Sequence, residues 1–529
     1  MTDPLELALD RVVRHATDLA SAWSSRARAS TTVARERAIL RLFGVTGLDH
    51  SGVPLASAVV ERAMGEDPER LAGSIALPFA VALLEYDITP QQLALDVASG
   101  AIDLAFEAQL LADPERRTAA ETEVRRMAAL AVERIDANRT ARRETLAVVG
   151  ETPRPWIGAT LAAPSLDAAP DEAEGLVVAG ADLVRIRVPA IRELALRLHD
   201  RGIDAHDWRP RPARGPRAVE DPADVPTGSQ RALAALRERV DEAAAEAGRY
   251  VRLSSVASAL AAPEQALVAA LERIDVVEAD PIAEIVADGV DPDRAFADHG
   301  FGHRLLRRAG TLVTVGPGPL VVAPDLATGV PADAATRAGR AFAMQALSIA
   351  FARAGRIPEP QLIAGALTPW LAGEPNPATQ ALATVALQRR AWPGIWLSFE
   401  EPAASGWIAA RWPLLLALGL AISGPSAIVV RTARRSELPS AVQATRATAA
   451  LATEIVATPE GALARPAVAI HAAALLAAAA ATLDRLDEHG WTALLGEPIG
   501  GAGHPRLGAT AVTEKSEPFD TLSAALGGG

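Results

Sequence analysis

The feature that most constrains this chain is a series of eight short runs with the composition of β-strands, separated by helical stretches from Pro153 onward. Strands that alternate with helices pair in parallel through right-handed crossovers. Eight parallel strands close a barrel, and roughly 300 residues is within the usual length for one. We therefore predict an α/β fold, a (β/α)8 barrel of the TIM type. Its strands are expected at residues 156–161, 183–188, 250–255, 275–280, 311–316, 361–367, 394–400 and 427–432.

Helical segments flank the predicted barrel on both sides. Near the amino terminus, Leu5, Leu9 and Val12 keep the period of an amphipathic helix. After the barrel, an Ala-rich stretch predicts a helix that packs on its outside, and a Gly-rich stretch predicts a flexible tail. The expected helical N-terminal region, barrel, C-terminal helices and tail cover residues 1–150, 151–460, 461–500 and 501–529.

Composition narrows the class of partner. The formal net charge is −13, which argues against a nucleic acid or an anionic membrane bound through a basic field. A small molecule or a protein is therefore the expected partner. The chain has no cysteine, so it can form neither a disulfide framework nor a thiolate metal site. Aromatic residues make up only 4 %, which predicts a core of small side chains in close-packed helices.

The chain is expected to work in the cytoplasm without a membrane anchor. Its first residues lack a basic region followed by an apolar one, so no secretory signal is predicted. Residues 412–430 carry no charge, which is about the length that could span a bilayer. The break at Ser423-Gly424-Pro425-Ser426 instead favours a buried helix followed by a buried strand.

Two residue types limit the chemistry. His299 and His303 are four residues apart, as metal ligands on one helix face can be, but no third ligand is evident. We expect them at the surface or at a helix cap, and we predict no metal site. Lys515, in the tail, is the only lysine, so a Schiff base would need a lysine from another chain.

Chemistry in such a barrel belongs at the carboxyl ends of the strands. The predicted strand ends carry both signs of charge and several hydroxyls. Each charged residue could belong to a functional site or could form a salt bridge across the rim of the barrel. The serines could hold a phosphate with the amides of the next helix, or could serve as caps; both readings stay open. These strand-end residues include Arg185, Arg187, Arg252, Ser254, Ser255, Ser258, Glu278, Asp280, Glu400, Glu401 and Arg431.

Several sequence blocks occur in a recognisable order over nearly the full chain. They are Thr31-Thr32-Val33 with Glu36-Arg37 and Leu40-Arg41-Leu42, Gly52-Val53-Pro54-Leu55, Pro155-Trp156, Gly180-Ala181-Asp182, Gly248-Arg249-Tyr250-Val251-Arg252-Leu253 and Ala270-Leu271-Glu272-Arg273-Ile274-Asp275. In these blocks the chain resembles the alpha (large) subunit of lysine 5,6-aminomutase. That family moves an amino group between adjacent carbons of D-lysine or β-lysine with adenosylcobalamin and pyridoxal phosphate (PLP).

The resemblance implies a division of labour between two chains. In the family, this subunit is a PLP-binding barrel, whereas the Schiff-base lysine and the cobalamin-binding domain belong to a small beta subunit. A barrel without its own lysine and without a cobalamin motif agrees with that division. The implied cofactors are PLP in this chain and adenosylcobalamin through the partner, and the implied substrate is a small amino acid.

The chain departs from the family at the site itself. Ser258 and Asp280 match the family's serine and aspartate. An asparagine and a tyrosine are replaced by Ser255 and Val256, and the tyrosine expected to stack on the PLP ring falls at Ala283. The family's substrate-facing glutamate and aspartate fall at Pro317 and Gly318. The arginine-containing loop after the second strand is replaced by Val188-Pro189-Ala190-Ile191, where Arg187 is a substitute.

We therefore expect an aminomutase-type large subunit with altered or lost activity, whose catalytic residues are unknown. If PLP binds, Ser258, Ser255, Arg252 and Arg187 are the candidate contacts, and Asp280 is the candidate substrate contact. Two alternatives remain open. One is a binding or regulatory subunit without catalysis, and the other is a barrel enzyme that acts on a different substrate.

Overall fold

Eight parallel strands form a closed barrel in the order β1 to β8 in the computed structural model. Its closure is the pairing of β1 with β8, in which Trp156 lies opposite Ile428. The strands are β1 Trp156–Thr160, β2 Leu183–Arg185, β3 Arg252–Val256, β4 Val276–Glu278, β5 Leu312–Val315, β6 Leu362–Gly365, β7 Trp396–Glu400 and β8 Ala427–Arg431. Each overlaps one of the eight runs predicted from the sequence, so the parallel barrel is confirmed. The structure describes residues 3–28, 30–65, 68–161, 169–186, 225–257, 261–288, 290–316, 333–367, 377–400, 407–424, 427–431, 438–454, 458–491 and Leu526.

Helices precede the barrel, alternate with its strands and follow it. Before β1 lie α1 Pro4–Arg28, α2 Val33–Leu42, α3 Leu55–Met64, α4 Ala76–Tyr86, α5 Pro90–Ser99, α6 Leu104–Glu107 and α7 Pro114–Val149. Between and after the strands lie α8 Ala169–Val178, α9 Val225–Glu246, α10 Ala262–Leu271, α11 Pro281–Ala283, α12 Pro292–Ala309, α13 Ala334–Ala354, α14 Pro377–Ala391, α15 Trp407–Ser423 and α16 Leu438–Glu454. The last two described helices are α17 Pro459–Leu463 and α18 Pro466–His489.

Local sequence explains where several helices begin and end. The Asp291 side chain accepts the amides of Asp293 and Arg294 and so caps α12, whose first residue is a proline. The Thr32 hydroxyl caps α2 in the same way by accepting the amide of Arg35. Gly248 follows α9 with φ of +65°, a left-handed conformation that glycine adopts readily.

Side chains of the strands alternate between the barrel lumen and the surrounding helices. Trp156, Leu183, Val276 and Ile363 pack together inside the barrel, with Leu312 and Trp396 beside them. Neighbouring residues such as Ile157, Val184 and Val277 join the larger core that the helices form around the barrel. Because the alternation has a period of two, one strand can contribute to both cores, as β1, β2 and β4 do.

Helix α7 crosses the amino-terminal ends of β4 and β5. Arg142 of α7 donates hydrogen bonds to the carbonyls of Ile274 and Ala309, each 2.9 Å long, and its Nε lies 2.8 Å from Oδ1 of Asp275. Arg237 of α9 holds the other Asp275 oxygen at 3.0 Å. Burial alone would raise the pKa of Asp275, but the two guanidinium groups outweigh it and the pKa is lowered. One buried carboxylate therefore fastens two helices to the base of the barrel.

The N-terminal helices dock on the outside of the barrel through buried charge. Glu264 of α10 accepts hydrogen bonds from Arg37 Nε at 3.0 Å and from Arg41 Nε at 2.6 Å. Thr32 donates to Asp298 of α12, and Glu264 and Asp298 are both buried. The block Thr31 to Leu42, which carries part of the family resemblance, is thus the docking face between α2 and the barrel helices.

The C-terminal helix α18 packs on the outside of the barrel against α13, α1 and α14, as expected for the Ala-rich stretch. It buries one face, which includes Ala472, Leu475 and Leu483. Among the described residues it is also the one helix long and apolar enough to cross a membrane, by length and composition only. The uncharged stretch at 412–430 forms the end of α15 and then β8, as the sequence predicted.

We predict that Arg142→Met destabilises the protein by about 3 kcal/mol, because it leaves Asp275 with one counter-charge and removes the donors to buried carbonyls. Urea denaturation at pH 7 measures this change. Arg143→Met is the matched control, since Arg143 follows on the same helix but is exposed, and it should change the stability by less than about 0.5 kcal/mol. Equal effects of the two variants would show that α7 is not fastened through Arg142.

Candidate functional site

Three charged residues from three strands meet inside the mouth of the barrel. Arg185, Glu278 and Glu400 are the last residues of β2, β4 and β7. The Arg185 guanidinium donates to Glu278 through Nη2, and its Nη1 lies 2.8 Å from Oε1 of Glu400. Strands β2 and β7 are not neighbours in the barrel, so the side chains reach each other across the lumen. We call these three residues the mouth cluster.

The mouth cluster has one positive and two negative charges at the end of the barrel where such enzymes carry their sites. The Arg185 side chain is 7 % exposed, whereas those of Glu278 and Glu400 are 40 % and 26 % exposed. Burial alone would lower the pKa of Arg185, but the two carboxylates outweigh it and the pKa is raised. The arginine is therefore charged at every working pH, and its two partners remain within reach of a solute.

Hydroxyl groups surround the mouth cluster. Thr160 and Ser254 pair with Arg185 in the sheet, and Thr314 pairs with Glu278. Residues that are paired directly in a sheet face the same side, so these hydroxyls face the lumen too. The Thr160 hydroxyl is buried and has no hydrogen-bond partner among the described atoms. A ligand in the mouth could satisfy it.

The structure separates the residues that the sequence predicted as a PLP site. Arg252 does not lie at a carboxyl strand end: it is the first residue of β3, where it pairs with Glu151 and covers the Trp156 ring at 3.5 Å. Ser255 pairs with Val277, whose side chain lies in the helix-side core, so Ser255 faces away from the lumen. Ser258 and Arg187 lie outside the described residues.

Asp280 lies behind the mouth, with both of its oxygens occupied. Oδ2 accepts the amide of Gly316 at 2.8 Å, and Oδ1 accepts the Ser348 hydroxyl at 2.8 Å and the amide of Ile282 at 3.0 Å. Burial raises the pKa of Asp280 despite these donors. It joins the ends of β4 and β5 to α13, so in this structure it acts as an anchor for the strand ends.

The expectation that His299 and His303 lie at the surface or at a cap is wrong, because both are fully buried in α12. His299 Nε2 lies 3.0 Å from Oε1 of Glu284, and burial alone would lower its pKa, but Glu284 raises it. His303 Nε2 lies 2.9 Å from the Ala279 carbonyl, so Nε2 carries the proton. Burial lowers the pKa of His303 to about 4. No group of three or more metal-ligating side chains occurs among the described residues.

The sequence predicts Arg185, Glu278 and Glu400 at strand ends, but it does not predict that the three side chains contact one another. The signal that could have found them is parity. Arg185 and Glu278 each lie two residues after an apolar residue that faces the lumen. Glu400 lies four residues after Trp396, which also faces the lumen. A strand-end charge with this parity points into the barrel, whereas Ser255 has the opposite parity.

Comparison with known proteins decides the family. A family model described as the D-lysine 5,6-aminomutase TIM-barrel domain of the alpha subunit matches residues 5–404. The chain belongs to this family. The resemblance seen in the sequence blocks is therefore confirmed.

Two curated members of the family are lysine 5,6-aminomutase alpha subunits. The one from Fusobacterium nucleatum is 27 % identical over 383 residues, which cover 71 % of this chain and 66 % of the relative. The one from Acetoanaerobium sticklandii is 26 % identical over 339 residues, which cover 63 % of this chain and 58 % of the relative. The match thus spans less than two thirds of either relative. A solved dihydropteroate synthase from Anaplasma phagocytophilum, with bound 6-hydroxymethylpterin-monophosphate, has a TM-score of 0.35 and 13 % identity over 57 % of this chain and 99 % of that chain.

The family implies PLP, but the described residues of the mouth do not fit it. Arg185 already faces two carboxylates, so it offers a phosphate dianion no excess positive charge. A pyridine ring needs a flat apolar face. On the described strands, the ring residues that face the lumen, Trp156 and Trp396, are the first residues of their strands and lie at the opposite end from the mouth.

We predict that Arg185→Met destabilises the protein by about 2 kcal/mol at pH 7, because Glu278 and Glu400 then lose the guanidinium that lies between them. The triple variant Arg185→Met, Glu278→Gln, Glu400→Gln should recover most of the stability in urea denaturation. A triple variant as unstable as the single one would mean that packing, and not charge, is what Arg185 contributes.

A second prediction concerns pH. The pKa of His303 falls from about 6.5 in the unfolded chain to about 4, so it contributes stability that is present above pH 6.5 and is lost as the pH falls through 4. The full contribution is about 3 kcal/mol. His303→Gln keeps a donor for the Ala279 carbonyl and should lose less of its unfolding free energy than the wild type between pH 7.5 and pH 4.5. His50→Gln, at an exposed position, is the control and should follow the wild type.

The opposite slope from Asp298, whose pKa burial raises to about 6, is common to both proteins and cancels in the comparison. Identical pH profiles for the wild type and His303→Gln would contradict the assignment of a buried neutral imidazole.

Proposed function

We propose that this chain is an aminomutase-type alpha subunit that binds a small amino acid in the barrel mouth and has altered or lost aminomutase activity. The mouth cluster is the observation that carries the proposal. It presents a guanidinium and two carboxylates, which match the carboxylate and the ammonium groups of an amino acid. Such a ligand exchanges existing ion pairs for its own, so no charge is left without a partner.

The proposal of altered activity rests on the misfit between the mouth and PLP. Ala283, where the family's stacking tyrosine is expected, lies in α11, the short helix that Asp280 caps, and offers only a methyl group. The loss of an aromatic stack removes about 1 kcal/mol of affinity beyond its buried area. The predicted phosphate contacts Ser258 and Arg187 lie outside the described residues and stay predictions.

The partner subunit and the cofactors are proposed from family membership. A small cobalamin-binding beta subunit is the proposed partner, and it would bring adenosylcobalamin and the lysine that anchors PLP. When bound, PLP would supply an electron sink for amino-group migration. Arg185 would orient the carboxylate of the substrate at Nη1 or Nη2, and Glu278 and Glu400 would hold its ammonium group. The cytoplasm is the proposed compartment, on the sequence grounds given above.

The test mixes this chain with the small subunit of the Fusobacterium nucleatum enzyme, PLP and adenosylcobalamin, and follows the position of the amino group of D-lysine and L-β-lysine by NMR. We expect migration at least about tenfold slower than with that enzyme's own alpha subunit. Calorimetry in parallel should show that the chain still binds D-lysine and that Arg185→Gln weakens this binding. Arg143→Gln serves as the surface control.

Migration at the rate of the relative would contradict altered activity. Absence of D-lysine binding would contradict the assignment of the mouth cluster to an amino acid, whatever the migration rate.

A second candidate function is a barrel enzyme that acts on a different substrate, and one observation favours it. Glu278 and Glu400 converge on the same guanidinium from opposite sides of the lumen. Paired carboxylates can divide acid and base roles in catalysis. Among the strand-end residues that the sequence offers for such an enzyme, Arg431 is the last residue of β8, and Glu401 lies outside the described residues. Binding of a ligand other than an amino acid at the mouth, lost in Glu400→Gln, would select this candidate.

A further inference from the structure

One hydroxyl in the barrel mouth lacks a hydrogen-bond partner. It belongs to Thr160, the last residue of β1, and its oxygen is buried without a partner among the atoms that the structure describes. Folded proteins leave few buried polar atoms unsatisfied, because a hydroxyl taken out of water without a compensating bond costs free energy. Thr160 therefore indicates that a small polar group, from a ligand or a water, binds at this point of the mouth.

The sheet fixes where this hydroxyl lies. Thr160 pairs with Arg185 of β2, and the amide of the next residue, Leu161, donates to the Arg185 carbonyl at 2.8 Å. Residues that are paired in a sheet face the same side, and neighbouring strands lie about 4.8 Å apart. The threonine side chain also has few rotamers, because its Cβ is branched. The hydroxyl is thus held beside the arginine of the mouth cluster on a rigid element.

Thr160 lies on the side of the lumen where Arg185 meets Glu400. The strand order places β8 and β1 between β7 and β2, so these two strands form the wall between Glu400 and Arg185. The contact along this wall joins Arg185 Nη1 to Oε1 of Glu400 at 2.8 Å. The other nitrogen, Nη2, donates to Glu278 of β4, on the far side of β2. A ligand that enters between Arg185 and Glu400 therefore faces Thr160, and Glu278 can keep Arg185 in place.

The charge beside the hydroxyl decides which group of a ligand it would bond. The neighbour of Thr160 in the sheet is a cation, and an ammonium group placed next to Arg185 would be repelled by it. A carboxylate, in contrast, has two oxygens that only accept hydrogen bonds. One oxygen can accept from the guanidinium and the other from the hydroxyl. The pairing of Thr160 with Arg185 thus favours a carboxylate at this point.

We propose that Thr160 is a specificity-determining residue that donates its hydroxyl hydrogen to the carboxylate of the amino acid bound in the mouth. This inference rests on the proposed function and adds the orientation of the ligand. The carboxylate takes Arg185 Nη1 and the Thr160 hydroxyl, and the nearest ammonium group of the ligand takes Glu400. The amino acid thus replaces the ion pair between Arg185 and Glu400 with two of its own, so each of the two charges keeps a partner.

This orientation gives the mouth a preference that can be measured. A site built to hydrogen-bond one group of a ligand rejects the analogue that lacks it, because the polar atoms of the site are then left unpaired. Cadaverine is the diamine that corresponds to lysine without its carboxylate. It keeps both ammonium groups and lacks the group that Thr160 bonds. Thr160 should therefore discriminate between the two ligands, whereas a residue that only shapes the mouth would affect both alike.

Isothermal titration calorimetry of the full chain with D-lysine and with cadaverine tests the proposal. Thr160→Val keeps the shape of the side chain and removes the hydroxyl. It should weaken D-lysine binding about tenfold or more, because a hydrogen bond to a charged group is lost, and should leave cadaverine binding unchanged. Thr160→Ser restores the hydroxyl and should recover most of the affinity for D-lysine. Thr122→Val, at an exposed threonine of α7, is the control and should bind both ligands as the wild type does.

Equal affinity of the wild type and Thr160→Val for D-lysine would overturn this inference and leave the proposed function intact. Equal weakening for both ligands would give Thr160 a role in packing only and would overturn it as well. Where cadaverine binds too weakly to measure, Thr160→Ser decides: recovery supports the hydrogen bond, and affinity as low as that of Thr160→Val contradicts it. Absence of D-lysine binding by the wild type would overturn both this inference and the assignment of the mouth cluster to an amino acid.

Discussion

Closure of the sheet is the constraint on which the rest of this structure depends. Once β1 pairs with β8, every strand residue must face either the lumen or the helices, with no third choice. Trp156 and Trp396 then fill the lumen at one end, and Arg185, Glu278 and Glu400 meet in it at the other. The two-residue period of a strand therefore decides which side chains can act together on a ligand.

Buried carboxylates make the connections that closure alone does not supply. Asp275 fastens α7 and α9 to the base of the barrel, Glu264 fastens α2, and Asp280 holds the ends of β4 and β5 to α13. Each is compensated by at least two donors, which is what a buried charge requires. Since Arg142, Arg37 and Ser348 come from distant parts of the chain, these contacts also fix how the helices sit around the strands.

The two ends of the barrel have different chemistry. The mouth cluster mixes both signs of charge on short strand ends, which suits a zwitterion. The opposite end of the lumen holds the rings of Trp156 and Trp396, which pack edge to face. Family membership accounts for the barrel scaffold and its docking face at Thr31 to Leu42. The mouth cluster does not follow from that membership, because a shared fold does not fix the side chains of a site.

The sequence by itself determined the architecture: the eight strands, the helices between them and the family all emerged from local pattern and from blocks of residues. The tertiary structure decided the rest. Only it turned Arg252 to the base of the barrel, buried His299 and His303, and brought Arg185 to Glu400. The physical reason is the separation along the chain between the residues that interact. Strand and helix formation depend on neighbours within a few residues, whereas a buried charge depends on partners that can lie 227 residues away, as Arg37 does from Glu264. The positions of such partners exist only after the barrel closes.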